Sequence, residues 1–110
     1  MKREFICTEI FDHSWARIGL TDEDLARLQA ELLLDPMIGD VIPQTNGARK
    51  VRVQAKGHGK RGGARVIYVD VLVQERIYLL LAYPKNELTK LTSEQSKMVA
   101  RLVTQLKEGK

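Results

Sequence analysis

Cysteine, proline, aromatic side chains and long apolar runs are all scarce in this chain of 110 residues. The single cysteine, Cys7, cannot form an internal disulfide, and no cysteine-based zinc framework is available. A reducing compartment is the natural setting. The longest uninterrupted apolar run spans residues 77–83, far short of the roughly 20 residues that a membrane helix needs. The first residues include Lys2, Arg3, Glu4 and Glu9 where a secretory signal would place an apolar stretch. A soluble, cytoplasmic protein is expected, with no membrane partner. Aromatics make up only 5% of the residues, so aliphatic side chains must supply most of the core. With 44% apolar residues, one domain over residues 1–110 can fold without staples. No repeat period is present, which excludes solenoids and propellers.

Acidic residues are absent from one long stretch. Between Val41 and Val69 there is no Asp or Glu, while Arg49, Lys50, Arg52, Lys56, Lys60, Arg61 and Arg65 give a local charge of +7. The rest of the chain holds eleven bases against fourteen acids, a net −3. Charges meant only for solubility would be mixed in sign. Segregation of this kind points to a polyanion, either nucleic acid or another phosphate-rich partner.

The apolar pattern orders the elements. Residues 3–11 read as a strand running into a turn or short helix, with Phe5, Cys7 and Ile10 toward the core. Residues 12–18, with Trp15, read as a short helix. Thr21 is an N-cap and Asp24 occupies its capping-box position. Leu25, Leu28, Leu32 and Leu33 then mark one helical face, which Asp35 and Pro36 terminate. Residues 36–47 read as a loop. Val51, Val53 and Ala55 alternate with Lys50, Arg52, Gln54 and Lys56, the mark of a half-buried strand with a basic outer face. Residues 57–63 hold four of the eight glycines and form a loop. Residues 64–73 and 76–83 are β-rich, joined by a turn at Gln74 and Glu75. A second capping box at residues 92–95 opens a helix whose apolar face is Met98, Val99, Leu102, Val103 and Leu106. Sequential strands with short connections predict a mainly antiparallel sheet, with N-terminal helices and a C-terminal helix packed on one face, an α+β domain.

Residues 57–62 match the letters G-x-G-x-x-G, but a strand follows them, so the dinucleotide fingerprint is excluded. A phosphate-binding Walker loop fails too, because Gln54 and Arg61 stand where Gly and Ser or Thr are needed. The functional reading of this loop is a basic segment, carried by Lys60 and Arg61, against a nucleic-acid backbone; the plain reading is a hairpin loop. His13 and His58 are too few and too far apart for a metal site. Magnesium-dependent nucleases need clustered carboxylates. The basic region has none, and Asp70 is the nearest acid, without an evident partner. RNA needs no metal for cleavage, because its 2′-hydroxyl attacks the adjacent phosphate once Lys and Arg side chains orient it and stabilise the developing charge.

Several segments together carry a resemblance. Residues 32–43, then Arg49, Lys50, Val51 and Arg52, then residues 57–68, and finally Tyr83, Lys85, Asn86 and Glu87 resemble, in order and spacing, the RelE/HigB superfamily of bacterial type II toxins, in its HigB-like branch. The resemblance covers roughly residues 5–106. It implies a compact, microbial-RNase-like fold and a ribosome-dependent, metal-independent endoribonuclease, an mRNA interferase that inhibits translation and arrests growth. No cofactor is implied. The implied partners are the ribosome, messenger RNA and a cognate antitoxin of helix-turn-helix type, with operator DNA reached only through the antitoxin complex. Carried over residue by residue, the resemblance implies catalytic roles for Lys56, Arg65 and Lys85. It implies RNA-backbone contacts for Lys60, Arg61, Arg49, Lys50 and Arg52. Residues 44–48 depart from the more usual Gly-Thr-Gly-Gly-Leu pattern, and His58 matches no family role, which leaves the general base unassigned. The alternative from composition alone is a basic RNA- or DNA-binding module without catalysis.

Overall fold

The computed structural model describes residues 2–54, 63–84 and 91–109. The elements are β1 (Glu4–Cys7), α1 (Glu9–Ile18), α2 (Asp22–Leu34), β2 (Asp40–Val41), β3 (Arg49–Val53), β4 (Ala64–Val71), β5 (Arg76–Pro84) and α3 (Ser93–Glu108). The five strands form one sheet in the order β1-β5-β4-β3-β2. β1 pairs parallel to β5, and all other pairs are antiparallel. The mainly antiparallel α+β architecture is therefore as the sequence predicts.

The helix starts also form where expected. Thr21 Oγ1 accepts the Asp24 N–H at 3.1 Å, and Asp24 Oδ2 accepts the Thr21 N–H at 3.0 Å. At α3, Thr92 and Gln95 make the same reciprocal pair. Two orphan donors are satisfied at each helix start. At α1, Thr8 caps by accepting the Phe11 N–H, and Gly19 closes the helix in the left-handed conformation, φ 91°.

The helices do not share one face. Phe11, Trp15, Leu28 and Leu32 from α1 and α2 pack with Val53, Val66, Tyr68, Ile77 and Leu79. Val103 of α3, with partly buried Val99, Leu102 and Leu106, packs on the opposite face against Ile67, Val69, Tyr78 and Leu80. The expectation of helices on one face is corrected. The reason lies in β4, where Val66, Ile67, Tyr68 and Val69 are all buried. An unbroken apolar run means that both faces of a strand are covered. Three side chains assigned to core faces are instead exposed: Ile10, Leu33 and Met98. Each lies at the rim of a helical stripe that is narrower than its apolar letters suggest. The run read as a strand to residue 73 ends at Val71. Leu72 and Val73 enter a short 3-10 turn and are exposed, and Glu75 closes it with φ 57°.

The segment read as loop, residues 36–47, contains β2, whose Asp40 and Val41 pair with Lys50 and Arg49. Tyr68 explains its placement. The buried hydroxyl donates to Pro36 O at 2.7 Å and accepts the Gly39 N–H at 3.0 Å. Burial raises the Tyr68 pKa, so the hydroxyl stays protonated and able to donate. Gly39 passes so close that an added Cβ would lie 2.6 Å from Lys50 O and 2.9 Å from Tyr68 Cε1. Gly39→Ala is expected to lower stability by about 1–3 kcal/mol, read as a lower urea midpoint with an unchanged slope.

Asp24 predicts a pH effect. Its burial would raise the pKa, but the Thr21 N–H, the Thr21 hydroxyl and the Arg27 guanidinium outweigh burial and hold it below the ordinary carboxylate value. Its folded pKa lies below its unfolded one. The stabilisation is therefore complete above about pH 4 and is lost as pH falls through the folded value. Asp24→Asn is expected to cost about 1–2 kcal/mol at pH 7. The gap between variant and parent in urea titrations should close on acidification.

Candidate nucleic-acid interface

Alternation sorts the basic residues by face. In β4, Val66 and Tyr68 belong to the core under α1 and α2, while Ile67 and Val69 belong to the core under α3. Arg65 therefore projects on the α3 face. In β3, Val51 and Val53 face α1 and α2, so Lys50 and Arg52 also project on the α3 side. The register then aligns them. Arg52 is opposite Arg65, and Arg65 is opposite Tyr83. Three strands thus place Arg52, Arg65 and Tyr83 in one row across the sheet. Lys50, opposite Ile67, stands in the row beneath.

Two guanidinium groups thus share one row, with the carboxylates of Glu31 and Asp40 in the lining of the same cleft. Like charges directly opposite one another in an antiparallel pair are destabilising. Among the described residues, neither Arg52 nor Arg65 forms an ion pair. The Arg65 Nε is buried and, among the described residues, has no hydrogen-bond partner. A buried donor left without an acceptor costs about 1–3 kcal/mol. An anion resting on the row would supply the missing acceptor and relieve the repulsion. Tyr83 borders it; burial raises the pKa of its hydroxyl, and the Arg65 charge only partly offsets that rise. The phenol is therefore neutral at the site.

Two clefts meet at Lys50. One, of about 390 Å³, is lined by Gly39, Asp40, Lys50, Arg52 and Arg65 together with Glu31 and Ile38. The other, of about 410 Å³, lies between the β2–β3 connection and the start of α3, with Lys50 and Tyr83 in its lining. Lys50 is common to both.

The structure brings Lys50, Arg52 and Arg65 together and separates Arg49 from them. Arg49 Nη1 donates to Met37 O at 3.2 Å and to Gly39 O at 2.7 Å. Its guanidinium thus clamps the segment that leads into β2. Lys56, Lys60, Arg61, His58 and Lys85 lie outside the described residues. Asp70, read from the sequence as lacking a partner, has one. Arg3 Nε and Nη2 donate to its two carboxylate oxygens at 2.6 and 3.0 Å. No sequence spacing links positions 3 and 70; only the parallel placement of β1 beside β5 brings them close. Tyr83 had no place among the sequence candidates either, since its position beside Arg65 depends on register. Among the described residues, no helix is long and apolar enough to cross a membrane. No group of three or more His, Cys, Asp or Glu side chains is placed to hold a metal ion, again among those residues.

No protein-family model matches the sequence. A solved structure does match the fold: the E. coli toxin RelE in the free state, as a mutant with two arginines replaced by alanine. The match has a TM-score of 0.61, covers 94% of this chain and 99% of that one, and has 14% sequence identity. The chain has a RelE-like α+β fold, with the five-stranded sheet and three helices described above.

Proposed function

We propose that this protein is a toxin of a type II toxin-antitoxin system, a ribosome-dependent, metal-independent endoribonuclease that cuts messenger RNA and halts translation. The observation that carries the reading is the Arg52–Arg65 pair: two guanidinium side chains on directly opposed β positions, with a buried Arg65 Nε lacking an acceptor. Folding alone disfavours that arrangement, and a phosphate completes it. The RelE-like fold, shared with a protein described as a toxin, supports the same reading.

In the proposed reaction the RNA 2′-hydroxyl releases its proton to solvent, and the 2′-oxygen attacks the adjacent phosphorus as the 5′-oxygen leaves. The products are a 2′,3′-cyclic phosphate and a free 5′-hydroxyl. Arg65 stabilises the charge that accumulates on the non-bridging oxygens. Lys56 shares that role, and Lys85 protonates the departing 5′-oxygen or binds the phosphate. Lys50, Arg52, Lys60 and Arg61 hold flanking phosphates. Arg49 contributes indirectly, by fixing the segment before β2 against β3. The nucleophile belongs to the substrate, so the chemistry needs no metal-activated water. A cognate antitoxin, of helix-turn-helix type, restrains the toxin and carries the pair to operator DNA.

The test uses purified ribosomes programmed with a defined messenger RNA. Cleavage of ribosome-bound message only, with fragments ending in 2′,3′-cyclic phosphate and 5′-hydroxyl, the ends that attack by the RNA's own 2′-oxygen leaves, is the expected result. Salt-sensitive RNA binding without any new fragment would replace catalysis by the binding-module reading.

A further inference from the structure

The 410 Å³ cleft beside the cation row has a chemistry different from that of the row. Its walls include Pro43, Leu91 and Tyr83; Gln44 and Ser96 supply an amide and a hydroxyl; Lys50 stands where it meets the cationic cleft. Among the described residues that line it, none is acidic. The volume falls within the range of about 300–1,000 Å³ typical of small-ligand sites. Apolar walls with a few polar groups suit a nucleobase, which offers an apolar face and a hydrogen-bonding edge.

The position suits it as well. Tyr83 lines this cleft and is the cross-strand neighbour of Arg65. Neighbouring strands lie about 4.8 Å apart. The backbone that carries Arg65 is therefore one strand spacing from the backbone that carries Tyr83.

The loop that walls the cleft is held in an unusual backbone shape. Gln44 has φ 64° and Asn46 has φ 62°, a left-handed conformation that Asn tolerates and that costs a residue such as Gln roughly 1–2 kcal/mol. Thr45 between them is fully buried; its hydroxyl donates to Ile42 O at 2.7 Å and accepts the Ala48 N–H at 3.1 Å. Asn46 Nδ2 further donates to Thr104 Oγ1, and Lys107 Nζ donates to Asn46 O, which ties the loop to α3. Glycine would adopt the Gln44 conformation without strain. A long amide side chain at that position, on a loop pinned at both sides, is the kind of strained placement that functional sites retain.

We infer that this cleft is a base-selecting subsite. It takes the base of the nucleotide whose phosphate rests on Arg65, packs it between Pro43 and Leu91 beside the edge of Tyr83, and reads its edge with the Gln44 amide and the Ser96 hydroxyl. The inference rests on the proposed RNA-phosphate site and adds a chemical basis for sequence preference.

The test is a titration of the full chain with each of the four nucleoside 3′-monophosphates, and separately with inorganic phosphate, followed by amide and side-chain NMR shifts. Inorganic phosphate should shift Arg52 and Arg65. The nucleotides should in addition shift Gln44, Tyr83 and Ser96, with affinities that differ at least fivefold between the strongest and weakest base. In Q44G that spread should fall below twofold while thermal stability stays equal or rises. In S96L, which fills the cleft, the base-dependent shifts should vanish and the phosphate shifts should remain. Nucleotides that shift only the arginine row, or bind with one affinity whatever the base, would overturn the inference and leave the phosphate site standing. An arginine row that inorganic phosphate and all four nucleotides leave unshifted would overturn the phosphate site, and the inference with it.

Discussion

Arg65→Ala is expected to slow cleavage of ribosome-bound RNA by about 10²–10³-fold while leaving the melting temperature unchanged or higher. The two halves come from the same geometry. Arg65 sits opposite Arg52 on one sheet face, and its Nε is buried without an acceptor among the described residues. Truncation removes a like charge from a directly opposed position and an unsatisfied donor, both of which oppose folding. It also removes the group best placed to stabilise a phosphate as its charge rises. Most side-chain truncations in a sheet lose stability; here a loss of activity with no loss of stability marks a residue retained for its ligand. Single-turnover rates and thermal melts on one preparation read both halves. Unchanged cleavage in the variant would remove Arg65 from the reaction, and a large drop in melting temperature would make its role structural.

Asp70→Ala is the second large effect, and its direction is the reverse. Arg3 donates two hydrogen bonds to the Asp70 carboxylate, and the two side chains are only 6% and 18% exposed. The carboxylate in turn raises the Arg3 pKa, chiefly through that hydrogen bond. Loss of the carboxylate leaves a part-buried guanidinium without its acceptor, a defect that costs about 1–3 kcal/mol. For a chain of this size each kcal/mol corresponds to a fall of roughly 4–8 °C in melting temperature. RNA cleavage measured well below the transition should be unaffected, because Asp70 lies toward the opposite end of β4 from Arg65. Joint replacement by Arg3→Met and Asp70→Leu should recover most of the lost stability, since an apolar pair leaves no charge unpaired. Failure of the double variant to recover would mean that the position needs its carboxylate for a reason other than Arg3.

What the sequence makes legible is local. Thr21, Asp24, Thr92 and Gln95 announce two helix starts because capping uses residues three apart. The Lys50 to Val53 alternation is likewise visible in four letters. What escapes is set by contacts distant in sequence. Tyr68 organises the segment from Pro36 to Gly39 across 29 and 32 positions. Arg3 reaches Asp70 because β1 inserts beside β5. The covering of both sheet faces is written in the unbroken run from Val66 to Val69, a signal that short-range alternation does not use. For the site, charge segregation points to β3 and β4 but not to their register. Arg49 and Arg52 look equivalent as letters, yet one clamps a loop on the α2 side and the other faces Arg65. Tyr83 joins the row only because β5 pairs with β4 in that register.

The most direct test of the central claim is primer extension on an abundant translated messenger RNA after brief expression of the parent chain and of Arg65→Ala. The account predicts new 5′ ends within coding sequence for the parent, their loss when translation is blocked beforehand, and their near absence in the variant. Parent and variant producing the same cuts, or no cuts from the parent despite growth arrest, would contradict it.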